Sequence, residues 1–294
     1  MSILPKVILL FVVYVFFAIV LESAKEIKSY GKEPFNLNLL QTDGQAEKEA
    51  DAIFRKGIQL YYNGFIERGN ILMDSAYTVY TNKTYLREKA SNNLRLGQYG
   101  EAIKSLDKAI DDGFETIVGY RAWVKMIYLH NYREAITDLE NYEAQSPEPS
   151  FSFAMSATML AGVAHKQLAD YPKSISVLSD YIELFEAESK AKVDVYAYWY
   201  RGMSHYEMKE YNSAIADLDT FISRYANGPE AHFGKGKVLL ALGDTTTACT
   251  EFQLSKDLVI KGYKRAYIWH ELPDQLYLED IDDQLSRVCN KNLE

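Results

Sequence analysis

Four copies of one short pattern constrain this chain more than any other feature. Each has a tyrosine, a small residue three positions on and a leucine four beyond that: Tyr99, Ala102 and Leu106; Tyr132, Ala135 and Leu139; Tyr171, Ser174 and Leu178; Tyr211, Ala214 and Leu218. Weaker copies flank them at Ile66, Gly69 and Met73 and at Thr245, Ala248 and Phe252. The small residue therefore recurs at Gly69, Ala102, Ala135, Ser174, Ala214 and Ala248, with spacings of 33, 33, 39, 40 and 34. A second set lies twelve residues before each of these: Gly57, Ala90, Trp123, Gly162, Gly202 and Gly236. Turn-like stretches such as Leu96-Gly97-Gln98, Leu168-Ala169-Asp170 and Leu242-Gly243-Asp244 separate the two sets. A self-similar period of this length means a repeat architecture, and each unit reads as helix, short turn, helix.

The residue types have a physical reason. Two antiparallel helices approach closely only where neither carries a large side chain, so each partner places a small residue at the crossing. The tyrosine opens the second helix and packs into the angle of the pair with its hydroxyl near water. The leucine continues the same helical face. One pair alone cannot bury its apolar stripe, so neighbours must stack, and the expected fold class is all-α, a solenoid of helix pairs. Composition agrees: 16 glycines and 7 prolines among 294 residues leave few helix breakers, and 48% hydrophobic content is too high for a disordered chain.

The pattern resembles the tetratricopeptide repeat, a unit of about 34 residues with small residues at its eighth, twentieth and twenty-seventh positions and an aromatic at its seventeenth. The resemblance covers residues 50–262 as six units, at about 50–82, 83–115, 116–154, 155–194, 195–228 and 229–262. It implies a right-handed superhelical solenoid whose first helices line a concave, protein-binding face. Carried over position by position, the groove would include Phe54, Arg87, Tyr120, Met159, Trp199 and Phe233 at position five. Position nine adds Ile58, Ser91, Val124, Val163, Met203 and Lys237, and position twelve adds Tyr61, Leu94, Ile127, Lys166, Tyr206 and Leu240. Such a face is aromatic and aliphatic with few charges. The lysine and asparagine clamp by which some members hold a C-terminal carboxylate is not expected, because the first unit's lead positions are Phe54 and Ile58. The twenty-seventh position holds Ala76 and Ala109 but then Tyr142, Tyr181 and Phe221. Together with the long steps of 39 and 40, these bulky residues predict longer second helices and wider spacing in the third and fourth units.

The ends read differently. Val7 to Leu21 is an unbroken apolar run behind Lys6, the layout of a signal peptide or a membrane anchor over residues 1–24. Cleavage after Ala24 would put Glu22 at the −3 position, where a small residue belongs. Residues 25–49 read as a polar tether, and the repeat domain is expected outside the cytoplasm, attached or exported through the N-terminal segment. Residues 263–294 read as a capping helix and an acidic tail, with apolar residues at 276, 278, 281, 285 and 288.

Catalytic chemistry finds little footing. The five histidines have no carboxylate or cysteine at ligand-like spacing, although His165 and His205 hold equivalent places in successive units. No phosphate loop or nucleophile elbow appears. Two cysteines form neither a disulfide framework nor a four-cysteine zinc site; Cys249 beside Ala248 reads as a small core residue, and a bond to Cys289 stays open only outside the cytoplasm, since nothing in the sequence places the two close. A net charge of −9 lacks the basic footprint of a nucleic-acid binder. The expectation is a non-catalytic, membrane-directed scaffold without cofactor or metal, binding peptide segments or partner helices. The alternatives are a receptor for a glycan or peptidoglycan strand and, less simply, an enzyme with a site in the groove.

Overall fold

Where each helix starts and stops decides how the units stack. The computed structural model describes residues 43–145, 151–152, 155–263, 265 and 271–289, and these form six antiparallel helix pairs and a C-terminal cap. The pairs are α1 (Asp43–Tyr62) with α2 (Ile66–Val79), α3 (Lys83–Arg95) with α4 (Tyr99–Asp111), and α5 (Val118–Ile127) with α6 (Tyr132–Ala144). They continue as α7 (Ala157–Gln167) with α8 (Tyr171–Glu188), α9 (Val195–Glu207) with α10 (Tyr211–Arg224), and α11 (Pro229–Ala241) with α12 (Thr245–Ile260). A two-residue ladder, β1 (Phe151–Ser152) against β2 (Met155–Ser156), lies between the third and fourth pairs. The side chains of Asn82, Asp170, Asp194 and Asp244 accept hydrogen bonds from backbone N–H groups in the first turns of α3, α8, α9 and α12, satisfying donors that the helix leaves open.

The turn inside every pair contains one residue in the left-handed region: Gly64, Gly97, His130, Ala169, Lys209 and Gly243. Three units use glycine, for which this conformation carries no steric penalty, and three hold a side chain there. The crossings are close. A Cβ on Gly69 would lie 2.7 Å from the Gly57 carbonyl oxygen, and one on Gly57 would lie 2.9 Å from that of Gly69. Ala90, Ala102, Ala135, Ala214 and Ala248 are fully buried, and Ser174 Oγ meets Ser204 Oγ at 3.0 Å across the fourth and fifth units. Successive first helices α5, α7, α9 and α11 contact one another more than successive second helices do, so the first-helix side is the inner, concave one.

Charged pairs reinforce the stack. Arg121 on α5 grips Asp138 of α6 through two hydrogen bonds of 2.9 and 2.7 Å and reaches Asp107 of the preceding α4 at 2.7 Å. Arg201 repeats the two-pronged grip on Asp217, and Lys235 spans Asp219 of α10 and Glu251 of α12.

Three sequence expectations need correction. Residues 43–49, read as tether, already belong to α1, because Asp-Gly opens a run rich in alanine, glutamate and lysine. The long step of the fourth unit does lengthen its second helix, to 18 residues in α8, but α6 of the third unit has only 13. There the extra length enters the connection, since Pro147 and Pro149 follow Gln145 and proline cannot continue a helix. The bulky twenty-seventh residues instead fill places vacated by glycine: Tyr142 lies against Gly119 and Phe221 against Gly228. Finally, Cys249 and Cys289 are joined by a disulfide with Cα atoms 5.7 Å apart. Local spacing could not reveal this, because α13 (Leu278–Gln284) folds back onto α12 and its π-helical continuation Leu285–Cys289 carries Cys289 to α12's first turns. Leu276 and Ile281 of this cap pack with Ala248 and Phe252. The predicted signal or anchor segment and tether up to residue 42, and most of residues 263–270 of the expected capping region, lie outside the described residues. No described helix is long and apolar enough to cross a membrane.

Candidate peptide-binding face

Thirteen of the eighteen groove positions fall into two groups. Phe54, Ile58, Tyr61, Arg87, Tyr120, Tyr206, Phe233 and Lys237 keep some access to solvent. Val124, Met159, Val163, Trp199 and Met203 are buried, each 6% exposed or less. Neighbouring first helices cover part of this second group. Over Trp199 the cover is the chain's own C-terminal segment, a strap described at Arg265 and over residues 271–277, before α13.

The strap's tip is a tight turn. Gln275 N–H donates to the Leu272 carbonyl at 3.1 Å, Pro273 fixes the second position, and Asp274 takes the left-handed conformation at φ 56°. Asp and Asn accept that conformation better than most side chains. Leu272 is buried, and the turn aims Asp274 at Lys166 of α7, with Nζ 2.6 Å from its carboxylate. The same ammonium lies 5.9 Å from the centre of the Trp199 ring. Lys237 of α11 sits 4.8 Å over Tyr206, and burial pushes its pKa down against the opposing carboxylates of Glu207 and, more weakly, Asp274.

Beneath the turn a polar relay joins strap to α9. Tyr200 Oη donates to the Pro273 carbonyl at 2.8 Å and accepts from Arg265 Nη1 at 3.0 Å. Burial raises the Tyr200 pKa, which keeps the phenol protonated and able to donate. The Arg265 guanidinium lies 3.9 Å from the centre of the Tyr196 ring, a cation–π contact. Arg265 N–H donates to Glu230 Oε1 at 3.1 Å while Tyr196 Oη donates to Glu230 Oε2 at 3.2 Å, so the buried Glu230 has a donor on each oxygen. The space left among Tyr196, Trp199, Tyr200 and the strap is about 10 Å³, room for one water at most. On the other side, towards Met126, Ile127, His130, Tyr132 and Gln167, a wider cleft of about 230 Å³ stays open.

The fit is incomplete in one respect. Trp199 Nε1 and Gln167 Nε2 are buried donors that find no acceptor among the described residues, and each lines the space next to the strap. Leaving such a donor unpaired costs about 1–3 kcal/mol.

The histidines do not form a joint site. His165 Nδ1 faces Asp170 at 3.4 Å and His205 Nδ1 faces Glu210 at 2.6 Å, each closing its own turn. Among the described residues no group of three or more His, Cys, Asp or Glu side chains could hold a metal ion. Sequence reasoning missed the strap and its lysine partners. Lys166 and Lys237 occupy groove positions, but only the tail shows that Lys166 holds a carboxylate, with Lys237 nearby.

Stacked helix pairs with a peptide-like segment laid across their inner helices define a helical-repeat scaffold, a surface for protein–protein interaction. The sequence of residues 200–258 matches the tetratricopeptide repeat family. That match spans most of the last two helix pairs, and the remaining four pairs repeat the same helix–turn–helix architecture. The fold is similar to a tetratricopeptide repeat protein from Parabacteroides merdae, at 19% identity and a TM-score of 0.50, covering 92% of this chain and 91% of that one. It is also similar to MamA from Desulfovibrio magneticus, at 17% identity and a TM-score of 0.52, covering 61% of this chain and 96% of that one. No curated protein matches the chain by sequence.

Proposed function

We propose that this protein is a non-catalytic, membrane-directed scaffold that binds segments of partner proteins on its concave face, with the repeat domain outside the cytoplasm. The observation that carries the reading is the strap: a non-helical segment already rests on α7 and α9, held by side-chain contacts to its backbone and to one carboxylate. A face that accommodates one such segment has the shape and donors to accommodate another. The half-buried aromatic residues Tyr206 and Phe233 extend it as anchors of the kind that dominate protein interfaces. The Cys249–Cys289 disulfide supports a location outside the cytoplasm, where such bonds persist. The apolar run Val7 to Leu21 supports delivery to a membrane.

The test is affinity capture from detergent-solubilised native membranes, comparing the wild-type chain, a groove variant (Tyr120→Ala with Tyr206→Ala) and an outer-face variant (Leu254→Ala). Partners lost with the groove variant alone fit the reading. Partners indifferent to both groove substitutions place binding elsewhere. Retention of the N-terminal segment in the membrane fraction, against its loss on deleting residues 1–24, checks the location.

A further inference from the structure

The described parts of the strap are held at Arg265 and at Leu272–Asp274, yet among the described residues no acceptor meets Trp199 Nε1 beneath it or Gln167 Nε2 beside it. A segment evolved only to complete a core would be expected to satisfy Trp199 Nε1 and Gln167 Nε2, because each orphan costs about 1–3 kcal/mol. Its polar contacts are those of a bound peptide rather than of a packed helix: Lys166 to a carboxylate, Tyr200 to a backbone carbonyl, Leu272 into an apolar seat. Leu272, Pro273 and Asp274 thus present an apolar residue, a turn-setting proline and an acid in sequence.

We infer that the strap is an exchangeable occupant, and that the face beneath it receives from a partner protein a proline turn of the same chemistry, with an apolar residue before the proline and an acid after it. Lys166 takes the incoming carboxylate, with Lys237 adding positive charge nearby. Tyr200 donates to the incoming carbonyl, and the partner supplies acceptors for Trp199 Nε1 and Gln167 Nε2 that the strap does not. The strap's advantage is its tether, which holds it at an effective concentration of about a millimolar; the partner's advantage is the two additional hydrogen bonds. This deepens the scaffold reading and rests on it.

The probe is a fluorescein-labelled peptide with the sequence of residues 271–279 (ELPDQLYLE), titrated by anisotropy into the full chain. The strap is weakened in cis by Leu272→Ser with Asp274→Asn; asparagine keeps the left-handed turn residue and removes only the charge. The expected result is binding to the strap variant tighter than to wild type by about tenfold or more, the probe having lost its tethered competitor. A probe with asparagine in place of its aspartate should lose that gain, as should Lys166→Glu added to the strap variant. Equal affinity for wild type and strap variant, no binding to either, or indifference to Lys166→Glu would overturn the inference.

Should the double variant fail to fold, hydrogen exchange on the wild-type chain decides. Saturating probe should speed exchange across 271–277, and an unchanged strap overturns exchangeability. A wild-type dimer at micromolar concentration that the strap variant cannot form would assign the occupant to a second copy and overturn the partner assignment. Membrane partners that depend on the groove while the probe ignores the strap would sink this inference alone. Partners indifferent to the groove would sink the scaffold reading with it.

Discussion

Reducing the Cys249–Cys289 bond should release the cap and leave the solenoid standing. The bond closes a loop of 40 residues, and the chain-entropy relation gives about 4 kcal/mol for a loop of that size. What remains after reduction is a small cluster: Ile281 and Phe252 fully buried, Leu276 nearly so, and the surface pair Lys256–Asp282 at 2.7 Å. Burying Ile281 is worth about 1.5–3 kcal/mol and the ion pair less than about 1, while ordering the residues after Ile260 opposes both. Stability in stacked repeats is a sum over neighbours, so the loss should stay at the C-terminal end. A fall of about 4 kcal/mol raises the open population roughly a thousandfold, and proteolysis in the fast-opening regime follows that population. The assay is limited trypsinolysis at Lys261, Arg265 and Arg287, resolved by mass spectrometry, on oxidised, reduced and Cys249→Ser/Cys289→Ser protein. Cleavage there should rise by orders of magnitude in the last two and stay unchanged within α1 to α10. A rise of less than about threefold, or equal cleavage throughout the chain, would refute the argument that the bond holds this cap independently of the stack.

Other perturbations test the stack itself. Asp138→Ala removes the buried carboxylate shared by Arg121 and Lys125, which keep Asp107 and Glu134 respectively, and should cost about 1.5–3 kcal/mol by chemical denaturation. Gly69→Ala drives a Cβ towards the Gly57 carbonyl and should destabilise the first pair by about 1–3 kcal/mol, read as faster hydrogen exchange in α1 and α2. Ala169→Gly removes a side chain from a left-handed position and should stabilise the protein by about 0.5–1 kcal/mol, visible as a higher Tm. Burial pushes the Tyr120 phenol up to about 12, and burial with a hydrogen bond to Glu186 does the same for Tyr198. Their folded pKa values lie above the unfolded value near 10, so the stabilisation is complete below pH 10 and lost as pH rises towards 12. Urea midpoints measured from pH 8.5 to 11.5 should therefore fall above pH 10, and Tyr120→Phe should flatten that fall.

The helix pairs were legible because their signal is local and repeated. A small residue at a crossing is demanded by backbone contact, as Gly57 and Gly69 demonstrate, and one demand met six times in phase is hard to mistake. The left-handed turn residue was only half legible, since Gly97 and Gly243 announce it while His130, Ala169 and Lys209 do not. Helix lengths in the third and fourth units divided for the same kind of reason. Both have surplus residues, but the prolines at 147 and 149 send the third unit's surplus into the connection, whereas Ser179 to Glu188 contains no breaker.

The site was less legible because it depends on a contact between residues far apart in the chain. Lys166 and Asp274 are 108 positions apart, and no period links them. Read as a groove position, Trp199 belongs to an open aromatic stripe; with the strap in place it is covered, which removes exposed apolar surface that such a stripe would otherwise present to water. The covering segment must then satisfy two requirements at once. It must shield the aromatics while unoccupied, and it must remain weaker than the partner it gives way to. Leu272 and the Tyr200 relay meet the first requirement, and the unpaired Trp199 and Gln167 donors leave room for the second. A tail under both constraints is neither a repeat nor a flexible acidic end, and its sequence resembles neither; this is why a reading based on periodicity gave it only the role of a cap.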